Sequence, residues 1–261
     1  MSDTAGREAG AARVSRPDDE VSRRPSDSPT DGGLGGRVVL IAGATSASGR
    51  AVAQALLDAG ARVVSVGSDE GRLEALAAEI PGVIVEHADL ADEDHVLELA
   101  MRVHGRVGDI DGVIHLVGGW RGGGGIPGQT EEDYRLLERS FTALRHVSRA
   151  FWGDLVTSTA GRIAIVSTVM VESPTAGSAN YAAVKAASES WIRSLAHGFA
   201  PRPVDEAGAM QEREPGGGAA VVFRVKSLAG LEERLAAAVV DLWRADAAVL
   251  NGRVEELTPP A

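Results

Sequence analysis

The 261-residue sequence contains no cysteine, and only 4% of its residues are aromatic. The absence of cysteine excludes a disulfide scaffold, a thiolate metal site and a cysteine nucleophile. Because so few of the 44% hydrophobic residues are aromatic, alanine, valine and leucine must fill most of the core. No unbroken apolar run approaches the roughly 20 residues that cross a bilayer. The net charge of −11 disfavours nucleic-acid binding, so we expect a cytoplasmic protein with neither nucleic-acid nor membrane partners.

Two segments lack the composition of a folded core. Residues 1–36 contain no aromatic residue and mix charges of both signs with prolines and a closing run of glycines. Such a segment cannot bury enough apolar surface to offset its ordering entropy, so a disordered N-terminal tail is predicted. Residues 201–218 are rich in proline, acids and glycine, which predicts a flexible linker. The chain after it is too short to fold alone, so residues 37–261 are predicted to form one domain.

Between these segments, apolar strand patterns alternate with helical patterns. A regular alternation of this kind is typical of α/β proteins, with a doubly wound sheet of about seven mostly parallel strands and helices on both faces. The predicted strands are residues 38–42, 62–66, 83–86, 112–117, 162–167, 219–225 and 253–257. The predicted helices are residues 50–59, 70–80, 93–104, 131–156, 180–199 and 231–244.

The first strand runs into a glycine-bearing turn, Gly43–Gly49, that opens a helix. Free N–H groups and the helix dipole at such a point suit a pyrophosphate, and glycine permits a tight turn and close backbone approach. A turn that needs glycine only for packing is the alternative interpretation. The position, at the first strand–turn–helix unit of the pattern, favours phosphate binding.

Tyr181 and Lys185 lie four residues apart on a predicted helix and therefore share one face. A phenol is a poor proton donor near neutral pH, and a neighbouring ammonium lowers its pKa, so the pair is a plausible acid–base device. A packed tyrosine beside a surface lysine is the alternative. The preceding strand ends at Ser167 and Thr168, whose hydroxyls lie at a carboxyl strand edge, where ligands sit in open α/β sheets.

These segments together resemble the short-chain dehydrogenase/reductase family, from about Arg37 to Leu257. The resemblance implies a Rossmann-type sheet. The family's T-G-x-x-x-G-x-G turn corresponds to Ala42–Gly49, its Y-x-x-x-K to Tyr181–Lys185, and its N-N-A-G to the stretch from His115 to Gly118. Departures from the pattern are Ala47 for the middle glycine, His115 and Leu116 for the paired asparagines, and Ser140 for the family's helical asparagine.

The resemblance implies a role for each matched residue. Tyr181 is the proton donor or base, Lys185 holds the nicotinamide ribose, and Thr168, with Ser167 adjacent, polarises the carbonyl. Ser140 stands where the family's asparagine supports a water path to the lysine. Asp89 is expected to bind adenine, with a turn-capping acid as the alternative. The predicted cofactor-binding residues are Gly43, Thr45, Ser46, Ala47, Ser48, Gly49, Ser68, Asp89, Leu90, Val117, Gly118, Gly119, Tyr181 and Lys185.

Two functions follow from this resemblance. The first is an NAD(P)-dependent oxidoreductase that interconverts a small-molecule carbonyl and a secondary alcohol. The second is a catalytically impaired relative that senses a nucleotide or serves as an interaction scaffold. Relatives commonly pair through their long helices, so a homodimer or homotetramer is expected. The six histidines show no metal-like spacing, and no metal site is predicted.

Cofactor choice and substrate contacts depend on two loops. The position that usually holds an NAD-selecting acid is Gly67, and Ser68 follows it, which favours NADP over NAD. The stretch 118–128 is long and glycine-rich, whereas the segment after the sixth strand is short. We expect the former to form part of the substrate site, with Trp120 as an apolar wall and Arg121 as an anion contact. A mobile surface loop is the alternative.

Overall fold

The computed structural model describes residues 33–200 and 217–259. Most of the predicted tail and most of the predicted linker lie outside this part of the chain. Gly33–Gly36, which the sequence assigned to the tail, form a turn whose Leu34 is buried in the core. The amide of Gly36 donates to the carbonyl of Gly60 over 3.0 Å. The folded domain therefore includes these four residues, and the predicted boundary was placed too late.

The seven strands form one parallel sheet in the order β3-β2-β1-β4-β5-β6-β7. All six strand pairings of the described residues are parallel, whereas the sequence predicted a mostly parallel sheet. The order reverses between β1 and β4, where the chain moves to the other half of the sheet. The strands are β1 (Val38–Ala42), β2 (Arg62–Gly67), β3 (Ile84–His87), β4 (Gly112–His115), β5 (Arg162–Thr168), β6 (Ala219–Val225) and β7 (Val254–Glu256).

Helices connect the strands and cover both faces. They are α1 (Ala47–Asp58), α2 (Glu70–Glu79), α3 (Glu93–Val107), α4 (Glu131–Ala150), α5 (Trp152–Thr157), α6 (Ala179–Phe199), α7 (Glu232–Asp241) and α8 (Ala247–Leu250). The single helix predicted over 131–156 is divided in two at Phe151, which is fully buried. No helix in the described ranges is both long enough and apolar enough to cross a membrane.

Side chains alternate between two cores because successive strand residues point to opposite faces. Ile41 of β1 packs in one core with residues of α1, α2 and α7, such as Leu56. Leu40 packs in the other with residues of α3, α4 and α6, such as Leu144. Central strands buried on both faces explain the all-apolar run of β1.

At the amino edge of the sheet, Arg162 is buried with only 4% of its surface exposed. Its guanidinium donates to four backbone carbonyls, those of Gly161, Gly217, Leu242 and Ala245. Burial lowers its pKa to about 10. The side chain thereby ties β5 to the start of β6 and to the end of α7.

We expect Arg162→Met to lower the free energy of unfolding by about 3 kcal/mol, because the carbonyls of Leu242, Gly217 and Ala245 would lose this donor in a buried or partly buried place. Urea unfolding followed by circular dichroism measures the change. Arg244→Met is the matched control, since Arg244 is exposed and its only ionic partner among the described residues is Asp241 of its own turn. Equal stability of the two variants would contradict this account of Arg162.

Candidate active site

The candidate site lies at the carboxyl edge of the sheet, where β1 and β4 are neighbours. Loops after these two strands leave in opposite directions, and such a switch point opens a crevice in doubly wound sheets. The turn after β1 and the segment after β4 meet there: a Cβ added at Gly43 would lie 2.9 Å from the backbone of Leu116 and Val117. Gly43 also has a φ of +83°, so two constraints require glycine at this position.

The turn after β1 has the geometry of a phosphate cradle. A Cβ at Gly49 would lie 2.3 Å from the carbonyl oxygen of Ala44, so glycine lets α1 pack tightly against the turn. Ser46 caps α1 by accepting the amide of Gly49 over 3.0 Å. Ala47 is exposed as the first residue of α1, and Ser48 is buried. Two glycines and a capped helix terminus fit the pyrophosphate of a nicotinamide dinucleotide.

At the end of β2, the structure places an arginine that the sequence analysis missed. The guanidinium of Arg72, in the first turn of α2, donates to the carbonyl of Thr45 over 3.2 Å. Arg72 is exposed, as is Ser68 at the end of β2. Asp69 instead caps α2 by accepting the amide of Arg72. The sequence analysis weighed Gly67 and Ser68 for cofactor choice and did not extend to Arg72, whose contact with Thr45 is visible only in the structure.

Gly67 has a packing reason of its own. A Cβ there would lie 3.1 Å from Cγ2 of Thr45 and 3.4 Å from Leu73. The carboxylate-bearing residue that selects NAD would therefore have to push Thr45 aside. The absence of an acid at this position is consistent with the geometry.

Asp89 is already engaged within the protein. One carboxylate oxygen accepts the amide of Ala91 over 3.0 Å, and the other accepts Arg139 over 2.7 Å. Partial burial opposes ionisation, but these two partners outweigh it and lower the pKa of Asp89. One of its two oxygens therefore caps the turn, as the alternative interpretation of Asp89 predicted. Leu90 beside it is buried.

Tyr181 and Lys185, the predicted acid–base pair, lie on the first two turns of α6. Lys185 Nζ donates to the carbonyl of Val166 over 2.8 Å, which ties α6 to the end of β5. The same nitrogen lies 5.9 Å from the centroid of the Tyr181 ring. A Cβ at Gly118 would lie 3.5 Å from it, so the segment after β4 also adjoins the ammonium. Val117 is half-buried there, and Gly119 is exposed.

The pKa of Tyr181 corrects an expectation. Burial raises it above the ordinary value of 10, whereas the sequence analysis predicted that Lys185 would lower it. The ammonium lies over the ring and is hydrogen-bonded to Val166, and the burial of the phenol dominates. Burial also lowers the pKa of Lys185 to about 8, although Glu189 opposes that shift.

The hydroxyls of Ser167 and Thr168, at the end of β5, have different hydrogen-bond partners. Ser167 is fully buried and donates to Glu189 over 2.7 Å. Glu189 also accepts Arg224, so Ser167 belongs to a structural network and not to the crevice. Thr168 is also buried, with 2% of its surface exposed, and its Oγ1 accepts the amide of Met170 over 3.2 Å. No acceptor for its hydroxyl hydrogen is found among the described residues, so Thr168 stays the predicted candidate of the two.

Ser140, which was expected to support a water path to Lys185, uses its hydroxyl hydrogen within its own helix. Its hydroxyl is buried and donates to the carbonyl of Leu137 over 2.7 Å, within its own helix. The carbonyl of Ser140 faces Nε2 of His115, 3.1 Å away. His115 is itself buried, and sequence reasoning had treated it only as a replaced asparagine.

The glycine-rich loop after β4 is held against the start of α6 by Gln129. The amide nitrogen of Gln129 donates to the carbonyls of Gly123, Gly125 and Gly177, at 2.9 to 3.2 Å, and its oxygen accepts the amide of Asn180 over 3.0 Å. The loop thus joins the element that carries Tyr181. Sequence reasoning had missed Gln129.

The two residues singled out in that loop are both exposed. A Cβ at Gly122 would lie 3.1 Å from the Trp120 ring, which places the ring over Gly122. Arg121 donates to the carbonyl of Trp120 and lies 3.8 Å from Asp133. A carboxylate therefore already neighbours the predicted anion contact.

A second cluster of polar side chains lies at the opposite edge of the sheet. His104, Asp109 and Asp154 bring potential ligand atoms within 4.8 Å of one another. Asp154 accepts His104 over 2.8 Å and the amide of Ile110 over 3.1 Å. These bonds hold the start of β4 to α5, and the cluster is remote from the crevice.

Comparison with known proteins agrees with this geometry. The family model for short chain dehydrogenases matches residues 37–208. The 3-oxoacyl-[acyl-carrier-protein] reductase FabG of Haemophilus influenzae is 27% identical over 173 residues, which cover 65% of this chain and 70% of the relative.

Solved structures share the fold. A short-chain dehydrogenase of Escherichia coli CFT073 complexed with NADPH has a TM-score of 0.74 and 20% identity, over 88% of this chain and 100% of that one. One from Shigella flexneri 2a complexed with NADP has a TM-score of 0.73 and 19% identity, over 87% and 99%. Because the family model covers well over half of the sequence, this chain belongs to the short-chain dehydrogenase family of NAD(P)-dependent oxidoreductases.

Proposed function

We propose that the protein reduces a small-molecule carbonyl with NADPH, with Tyr181 as the proton donor. The observation that carries this proposal is the position of Tyr181 and Lys185 on α6, with the ammonium bonded to the end of β5 and adjoining the segment after β4. The pair thereby stands beside the crevice that the glycine-bearing turn completes. Family membership supports the reaction class.

In this proposal the cofactor supplies the hydride, and the chain supplies orientation and a proton. Thr168 donates its hydroxyl hydrogen to the substrate oxygen, and Tyr181 transfers a proton to that oxygen as negative charge develops. A raised pKa keeps the phenol protonated at neutral pH, which suits a donor in the reductive direction. Lys185, with a pKa of about 8, is mostly protonated there and holds the nicotinamide ribose.

We propose NADP over NAD because Arg72 places a cation beside the glycine-bearing turn. Ser68, the residue that follows β2, lies four positions before Arg72 in the chain. A guanidinium matches the charge and shape of a 2′-phosphate. Asp69 is engaged as a helix cap, and position 67 carries no acid; a Cβ there would lie 3.1 Å from Cγ2 of Thr45.

Relatives named as 3-oxoacyl reductases make a 3-oxoacyl thioester a reasonable first substrate to test. The short connection from β6 to α7, residues 226–231, leaves the loop after β4 as the main covering element of the crevice. We further propose a cytoplasmic homodimer or homotetramer that pairs through α4 and α6. These helices present Phe141 and Trp191 as a half-buried edge-to-face pair.

Tyr181→Phe should abolish the proton donor while leaving the crevice intact. We expect NADPH binding, measured by the change in its fluorescence, to persist, and carbonyl reduction to fall by about 10²-fold or more. Tyr134→Phe is the matched control because Tyr134 is the only other tyrosine and lies at the start of α4. A wild-type protein that binds NADPH but reduces no carbonyl of a broad panel would favour the nucleotide-sensor alternative.

The phenol of Tyr181 can be titrated alone in Tyr134→Phe, since that variant has one tyrosine. We expect a pKa above 10 in the cofactor-free protein, because burial disfavours the phenolate. Ultraviolet absorbance of the phenolate against pH measures it. A midpoint below 10 would instead restore the acidic phenol that the sequence analysis predicted.

Arg72→Ala should weaken NADPH binding by about tenfold and leave NADH binding unchanged, since only NADPH carries the 2′-phosphate. Fluorescence titration with each cofactor measures both constants. Arg62→Ala is the control: Arg62 begins β2, and its guanidinium donates to Val107 at the opposite edge of the sheet. Equal losses for NADH and NADPH would refute the assignment of Arg72.

A further inference from the structure

His115 is a buried histidine at the end of β4, with 5% of its surface exposed. It is paired in the sheet with Ala42 of β1 and Ile165 of β5, so it lies under the crevice. Its Nε2 lies 3.1 Å from the carbonyl of Ser140. Because a carbonyl only accepts, Nε2 carries the hydrogen, and in the neutral ring Nδ1 keeps its lone pair.

That Nδ1 is buried and has no hydrogen-bond partner among the described residues. Buried polar atoms are rarely left unpaired, so an acceptor in this position calls for a donor. Burial, with a further contribution from the charge of Lys185, lowers the pKa of His115 to about 3. The ring therefore stays neutral and remains an acceptor throughout the working range of the protein.

Lys185 is the donor that the surroundings offer. One of its three hydrogens is used by the carbonyl of Val166, and two remain. Gly118, three residues after His115, adjoins the same ammonium. The titratable groups that face Lys185 are His115 from β4 and Tyr181 and Glu189 from α6, and Glu189 is in turn paired with Arg224 from β6.

We infer that His115 is a positioning residue of the acid–base site: its Nδ1 accepts a hydrogen bond from one water that Lys185 also binds, and this link helps to hold the ammonium protonated beside Tyr181. The inference rests on the proposed function for its catalytic consequence only. The hydroxyl hydrogen of Ser140 is donated within α4, whereas Nδ1 of His115 is the buried acceptor that has no partner among the described residues.

Two substitutions separate the two ring nitrogens. His115→Asn retains an oxygen at the position of Nδ1 and loses the donor to Ser140. His115→Gln retains a donor near the position of Nε2 and loses the acceptor toward Lys185. A role confined to the bond with Ser140 predicts that glutamine preserves function, whereas the proposed role predicts that asparagine does.

Lys185 can be observed alone because the chain has only two lysines, Lys185 and the exposed Lys226. In Lys226→Arg, ¹³C labelling at lysine Cε gives one signal whose shift follows the titration of Nζ. We expect the asparagine variant to keep the parent pKa and the glutamine variant to lower it by about one pH unit. An unchanged pKa in the glutamine variant, or a lowered pKa in the asparagine variant alone, overturns the inference.

If a His115 variant does not fold, the imidazole of His115 can be observed in wild-type protein instead. In ¹⁵N-histidine-labelled wild-type protein, the ¹⁵N chemical shift of His115 Nδ1 should be that of a nitrogen that accepts a hydrogen bond. In Lys185→Met this chemical shift should move toward the value of a nitrogen without a hydrogen bond. A free-type signal already in wild type overturns the inference. These measurements use cofactor-free protein, so a failure to bind NADPH in a parallel titration rejects the proposed function and leaves the test of His115 intact.

Discussion

The pairing of β1 with β4 is the constraint on which the site depends. Parallel strands all deliver their carboxyl ends to one edge, but the order reverses only between these two, so the crevice opens there. Gly43 passes Leu116 and Val117 at a distance that leaves no space for a Cβ. The same register places His115 beside Ala42, directly below. A shift by one residue would move the imidazole to the opposite core, because strand side chains alternate.

Around this edge the protein buries several charged groups and compensates each with a partner. Lys185 is bonded to a strand carbonyl, and Glu189 receives both Ser167 and Arg224. Unpaired burial of such charges would be strongly unfavourable, so each bond also fixes a side chain in place. The glycine-rich loop is held in the same way, by one glutamine whose amide reaches three carbonyls. The elements that would contact cofactor and substrate are thus ordered by hydrogen bonds that originate far apart in the chain.

Much of the fold was predictable because its determinants are local. The apolar run of β1, the glycine-bearing turn and the helical spacing of Tyr181 and Lys185 are all read from a few consecutive residues. Predictions were less accurate where distant segments compete for the same residue. Ser167 was assigned to the crevice but bonds to Glu189, twenty-two residues later. Leu34 was assigned to the tail because the glycines that flank it are typical of a disordered segment, but the structure buries it in the core.

The sequence by itself determined the alternation of strands and helices, the glycine-bearing turn and the placement of Tyr181 and Lys185 on one face of a helix, since these depend on short-range periodicity and on backbone conformation. The tertiary structure alone decided that Ser167 bonds to Glu189, that Arg72 lies beside the turn, and that the buried Nδ1 of His115 has no partner among the described residues. It also decided the direction of the Tyr181 pKa. Desolvation and hydrogen-bond partnership depend on which groups from distant segments become neighbours, and no local pattern carries that information.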